Sequence, residues 1–146
     1  MKIIAIFILS LTLRLLYLGS IPVSLSHDET DNIIQAHSVI NTGSDIEGTW
    51  NPWRLLPNSG VMAELGPLIN APILSLLPQS IFSSRLTTAI LSSLFPILIW
   101  WWLNLIKVNP HVSLVSALLL VISPWHLIFS RTALEQPTSL FFYILS

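Results

Sequence analysis

Leu86 to Ile106 is a run of 21 residues without a charged side chain, bounded by Arg85 and Lys107. A helix of roughly 20 apolar residues is what a bilayer core demands. An uncharged run of this length has few other uses, because the surface of a soluble fold carries charge every few residues. The rest of the chain agrees. Only 9% of its 146 residues are charged and 53% are hydrophobic, with a mean hydropathy of +0.75. A soluble enzyme of this size cannot clothe its surface with so few charges. The net charge of −1 leaves no basic footprint for nucleic acid. No cysteine is present, which excludes disulfide frameworks, thiolate metal sites and cysteine nucleophiles.

Around this run the sequence reads as an all-α polytopic membrane protein with about four spans, near 3–20, 86–106, 111–129 and 133–146. The region 21–85 forms a long first extramembrane loop carrying short helices. Ile3 to Leu18 is apolar apart from Ser10, Thr12 and Arg14. It reads as an uncleaved first span rather than a signal peptide, because further spans follow and no A-x-A pattern stands near Gly19. Trp100-Trp101-Trp102 suits an interfacial aromatic belt, and Pro96 is a place for a kink. Pro67 to Pro78 is too short and too broken to cross, so it reads as interfacial or re-entrant. The chain ends in an apolar run without a helix stop signal, as expected of a fragment whose last helix continues.

The long loop is the acidic part of the chain. Residues 20–84 hold six of its seven acids: Asp28, Glu29, Asp31, Asp45, Glu47 and Glu64. Ile33, Ile34, Ala36, His37 and Ile40 give a helical stripe over 28–40. Ser26 with Glu29 three residues later matches a capping box. Alternation of spans puts this loop, Arg85 and the stretch from Pro124 to Glu135 on one side of the membrane. The charge bias of the connecting segments does not say which side.

That shared side gathers Asp28, Glu29, Glu64, Arg85, His126, Arg131 and Glu135. Each has a plain reading beside a chemical one. Asp28 and Glu29 suit a solvated helix N-terminus, where acids favour the macrodipole. Equally, they are a carboxylate pair beside a bilayer. Arg85 can snorkel to lipid headgroups or bind phosphate. Arg131 and Glu135, four apart, can pair on a helix face, or Arg131 can clamp phosphate with its planar fork. Arg14, inside the first span, is costly there and counts as a functional candidate, unless it snorkels outward. The histidines His27, His37, His111 and His126 show no metal-ligand spacing, although His27 beside Asp28 could assist an acid-bound divalent ion. No N-glycosylation sequon and no Gly-rich phosphate loop occur.

Taken together, the Asp28-Glu29 pair after a first span, Arg85-Leu86-Thr87-Thr88-Ala89, and Ser123-Pro124-Trp125-His126-Leu127-Ile128-Phe129-Ser130-Arg131-Thr132-Ala133-Leu134-Glu135 resemble the N-terminal part of the GT-C membrane glycosyltransferases. The protein O-mannosyltransferase and aminoarabinose transferase group is the nearest in pattern. The resemblance implies sugar transfer from a polyprenyl-phosphate-linked donor to a lipid, glycan or protein acceptor at the outer face of the cell membrane. It implies Asp28 as general base for an acceptor hydroxyl, with Glu29 orienting it or helping to hold a divalent metal. It also implies Arg85, Arg131, Glu64 and Glu135 as substrate- and phosphate-binding positions. Family members are several times longer, with more spans. Two readings from other classes stand beside this one: a transporter or permease subunit with Arg14 and Arg131 along its path, and a non-catalytic membrane assembly protein whose acidic loop binds a partner.

Overall fold

The computed structural model describes residues 2–48 and 65–145. Among them every regular element is a helix: α1 (Lys2–Leu15), α2 (His27–Thr42), α3 (Leu65–Leu76), α4 (Ile81–Leu105), α5 (Pro110–Ile122), α6 (Pro124–Phe129) and α7 (Glu135–Leu145). This is the expected all-α class. Glu64 and Arg54 lie outside the described residues.

The long central helix follows from its ends. Ser80 caps α4: its hydroxyl accepts from the Ser83 backbone N–H at 3.1 Å, and the Ser80 N–H donates back to the Ser83 hydroxyl at 3.0 Å. The helix then runs 25 residues, through Pro96, and is long and apolar enough to cross a membrane. At 1.5 Å per residue it reaches about 37 Å. Among the described residues it alone meets that length. α1 has 14 residues and α5 has 13. The expected third span is divided, because the chain leaves helical geometry at Ser123 (φ −57°, ψ 119°) and Pro124 opens α6. A residue preceding proline is disfavoured in the α region, which sets the break there.

α4 is the mast of the fold, with α1, α3, α5 and α7 packed against it. The close approaches use small side chains. Ala89, Ser92 and Ser93 of α4 and Ser113 and Ala117 of α5 are all buried, and such small residues let helix backbones approach closely. Ile6, Ala117 and Val121 form a core joined by Leu13, Ile97, Trp100 and Leu114. Trp101 and Trp102 stay half exposed at the far end of α4.

α2 begins where the sequence places it. The Ser26 hydroxyl accepts from the Glu29 N–H at 3.2 Å, and the Ser26 N–H donates to Glu29 Oε2 at 3.0 Å. Gly43 ends the helix at φ 74° and donates its N–H to Val39 O, the left-handed stop that glycine takes without strain. α3 packs against both α2 and α4, so the apolar segment around Pro67–Pro78 is a bracket between the loop helix and the mast. Buried Asn70 ties it there: its amide donates to Ser84 O at 2.9 Å and its oxygen accepts from the Thr87 hydroxyl at 2.6 Å.

Candidate active site at the start of α2

The capping box does more than start a helix. Its Glu29 is 1% exposed and its carboxylate accepts four hydrogen bonds. Oε1 takes Arg85 Nε at 2.9 Å and the Ala133 backbone N–H at 2.9 Å. Oε2 takes the Ser26 N–H at 3.0 Å and Arg85 Nη2 at 3.3 Å. Four is the full acceptor capacity of a carboxylate. Burial by itself raises the pKa of this acid. The Arg85 hydrogen bonds, the Ala133 and Ser26 N–H groups and the Arg85 charge outweigh burial and hold it below the usual carboxylate range. Glu29 is therefore a fixed anion with no lone pair left to take a proton from a substrate.

Arg85, fully buried in the first turns of α4, is equally committed. Besides Glu29 it donates from Nη1 to Pro22 O at 2.8 Å and Leu18 O at 3.4 Å, and from Nη2 to Ser24 O at 3.0 Å. All five guanidinium N–H groups are used. The residue expected to bind phosphate here fastens the segment between α1 and α2 to α4.

Asp28 shares none of this. It stands in the first turn of α2, exposed, next to the buried Glu29. No hydrogen bond or ion pair holds it among the described residues. Its position is inherited from its neighbour, while its own oxygens face outward.

Arg131 and Glu135 do not pair with each other. The chain is not helical between α6 and α7, so the four-residue spacing never becomes one turn. Arg131 instead donates to the Leu13 and Leu16 carbonyls, at the C-terminal end of α1 where carbonyls lack helical partners and a cation is favoured. Its Nε is buried without a partner. Burial, then the charge of Arg85, lowers its pKa, so the two guanidinium groups are close enough to repel. Glu135 opens α7 and accepts from Asn32 Nδ2 at 3.3 Å. His27 pairs with Asp31, Nδ1 to Oδ2 at 3.0 Å, rather than with Asp28. Among the described residues no three His, Asp or Glu side chains gather where they could hold a metal ion.

Two arrangements carry no sequence signal. One is Asn32, buried one turn beyond Asp28, whose amide donates to Ala133 O at 3.3 Å as well as to Glu135. With Glu29 taking the Ala133 N–H, α2 grips both polar groups of one peptide-chain residue. The other is the meeting of His126 with Arg14, the charge expected in the first span and here fully buried in α1; Arg14 has more than this one partner. It donates to Ser10 O at 2.9 Å, to the Ser10 hydroxyl at 2.7 Å and to His126 Nδ1 at 2.6 Å. The His126 ring stacks on Phe95, with centroids 5.1 Å apart.

The arrangement is thus an all-helical frame in which a loop helix, locked by a buried acid–guanidinium pair, presents one free carboxylate beside the turn that joins α6 to α7. Residues 69–146 match the family model described as dolichyl-phosphate-mannose-protein mannosyltransferase. The chain belongs to that family and is a glycosyltransferase of the mannosyltransferase type. Neither a curated protein nor a solved structure matches the chain.

Proposed function

We propose that this protein transfers a sugar from a polyprenyl-phosphate-linked donor to an acceptor hydroxyl at the outer face of the cell membrane, with Asp28 as the general base. The observation that carries this reading is the division of labour within the acid pair. Glu29 is saturated by four hydrogen bonds, whereas the Asp28 carboxylate is exposed and unengaged among the described residues. An acceptor hydroxyl is a weak nucleophile, and a positioned carboxylate that removes its proton contributes roughly 10²–10⁴-fold. Glu29 and Arg85 act as positioning residues, since they set where the first turn of α2 stands.

The supporting frame comes from four helical spans, with α4 complete and α1, α5–α6 and α7 forming the others. The donor phosphate needs cations near its leaving oxygen, where low dielectric makes them effective. Arg131, in the α6–α7 turn, serves that need through its charge. Glu135 orders the same turn through Asn32. Any divalent ion would have to draw on Asp28.

Asp28→Asn in the purified protein tests the assignment. Sugar transfer from a polyprenyl-phosphate-mannose donor should fall by about 10²-fold or more, with the melting temperature unchanged. Transfer at the wild-type rate removes Asp28 from the chemistry.

A further inference from the structure

A cation buried in an apolar helix asks for an anion, and among the described residues Arg14 has none. It is 0% exposed. The two ion pairs among the described residues are His27–Asp31 and Arg85–Glu29, and neither includes it. Its Nε is buried without a partner. The contrast with Arg85, whose five N–H groups are all used and whose charge meets a carboxylate, is direct. Arg14 turns its charge instead on a neutral ring. A guanidinium only donates, so His126 Nδ1 must accept at 2.6 Å, and the ring proton then sits on Nε2.

That ring borders a cleft of about 340 Å³ between α6 and α7, walled by Trp125 and Phe129 on one side and Pro137 and Leu140 on the other. Nε2 has no protein partner among the described residues, nor is it among their buried unpartnered atoms. The cleft is therefore largely apolar, with Ser130, Gln136 and the His126 ring as its polar lining, and of these the His126 N–H alone has a buried positive charge directly behind it. A hydrogen bond polarised in this way strengthens toward an anionic acceptor.

We infer that His126, backed by Arg14, seats the phosphate of the polyprenyl carrier at the α6–α7 cleft, with the first isoprene units along Trp125, Phe129, Pro137 and Leu140. This rests on the proposed transferase reading for the identity of the lipid, and adds to the charge of Arg131 a phosphate-seating pair that the sequence patterns did not join. His126 is a ligand-binding residue in this scheme. Arg14 acts through it.

The test is a binding measurement on the full chain in phosphatidylcholine nanodiscs, with geranylgeranyl monophosphate as probe and geranylgeraniol as its uncharged control. His126→Ala should weaken the phosphate probe by about tenfold or more and leave the alcohol unchanged. His126→Gln, which keeps an N–H donor, should recover part of the loss. An equal loss for both probes, or no loss for the phosphate, overturns the assignment. Leu140→Trp fills the cleft without touching the polar pair and should exclude both probes. Full binding by that variant places the lipid elsewhere and equally overturns it. Dioleoyl phosphatidic acid should compete poorly, and competition as strong as that of the isoprenoid phosphate makes this a general headgroup site and sinks the carrier assignment. Asp28→Asn should bind the probe like wild type. If that variant also transfers sugar normally, the catalytic reading fails while the lipid site stands.

Discussion

Glu29 and Arg85 lie 56 residues apart in the chain and meet at two points, Nε to Oε1 at 2.9 Å and Nη2 to Oε2 at 3.3 Å, with both side chains out of solvent. A buried ion pair of this kind is weak evidence of net stabilisation, because desolvation offsets the attraction. Removing one partner is another matter, since it strands a charge. Glu29→Gln and Arg85→Met should each destabilise the protein by about 3–5 kcal/mol, read as loss of the thermal transition in detergent. The double variant should be less damaged than the sum of the two. Strict additivity would show that the pair is not coupled.

The same carboxylate sets a pH dependence. Its folded pKa is depressed, so the stability it supplies is complete above its ordinary value of 4.5 and drains away as pH falls from there through the lower folded value. The melting temperature should hold steady from neutral pH down to about that point and then decline. Glu29→Gln should lose this one component of the acid limb. An unchanged acid limb would mean that Glu29 is not held ionised by its four donors.

The start of α2 should be sensitive at Ser26 and indifferent at Asp28. Ser26→Ala removes the hydroxyl that accepts from Glu29 N and should cost about 0.5–2 kcal/mol. Asp28→Ala touches nothing buried and should stay within about ±0.5 kcal/mol. Comparable destabilisation of the two variants in chemical unfolding would mean that Asp28 has a structural partner.

Gly66 packs against the second grip on Ala133. A Cβ there would stand 3.3 Å from Asn32 Oδ1 and 3.5 Å from Glu135 Cβ. Asn32 has little room to yield, because its amide is held by Ala133 O and Glu135. Gly66→Ala should therefore cost about 1–3 kcal/mol. In an Asn32→Ala background the added methyl has space, so most of that cost should vanish. The same penalty in both backgrounds would show that Asn32 is not what crowds Gly66.

Much of this was readable from the chain. The α4 run declares itself by length and lack of charge. The start of α2 declares itself by Ser26 and Glu29, since a capping box is a local pattern. What stayed hidden is what depends on backbone. The carbonyls of Leu13, Leu16, Leu18, Pro22 and Ser24 that Arg85 and Arg131 engage have no side-chain signature, so the fastening role of these arginines could not be read beside the phosphate role. The Arg131–Glu135 spacing suggested a helical pair, but the chain is not helical there. The Arg14–His126 contact spans 112 residues, and no periodicity encodes so distant a meeting. Arg14 itself was legible as an unusual charge in a span, without its partner.

The grip of Glu29 and Asn32 on Ala133 has a consequence for engineering. The free acid on α2 takes its coordinates from a residue more than a hundred positions downstream and from an arginine in a different helix. Grafting residues 21–48 alone into a relative would import the carboxylate but not its address. A functional chimaera would have to carry Arg85 and the 130–135 turn along with the loop, and those three pieces should be inherited as a single exchangeable unit.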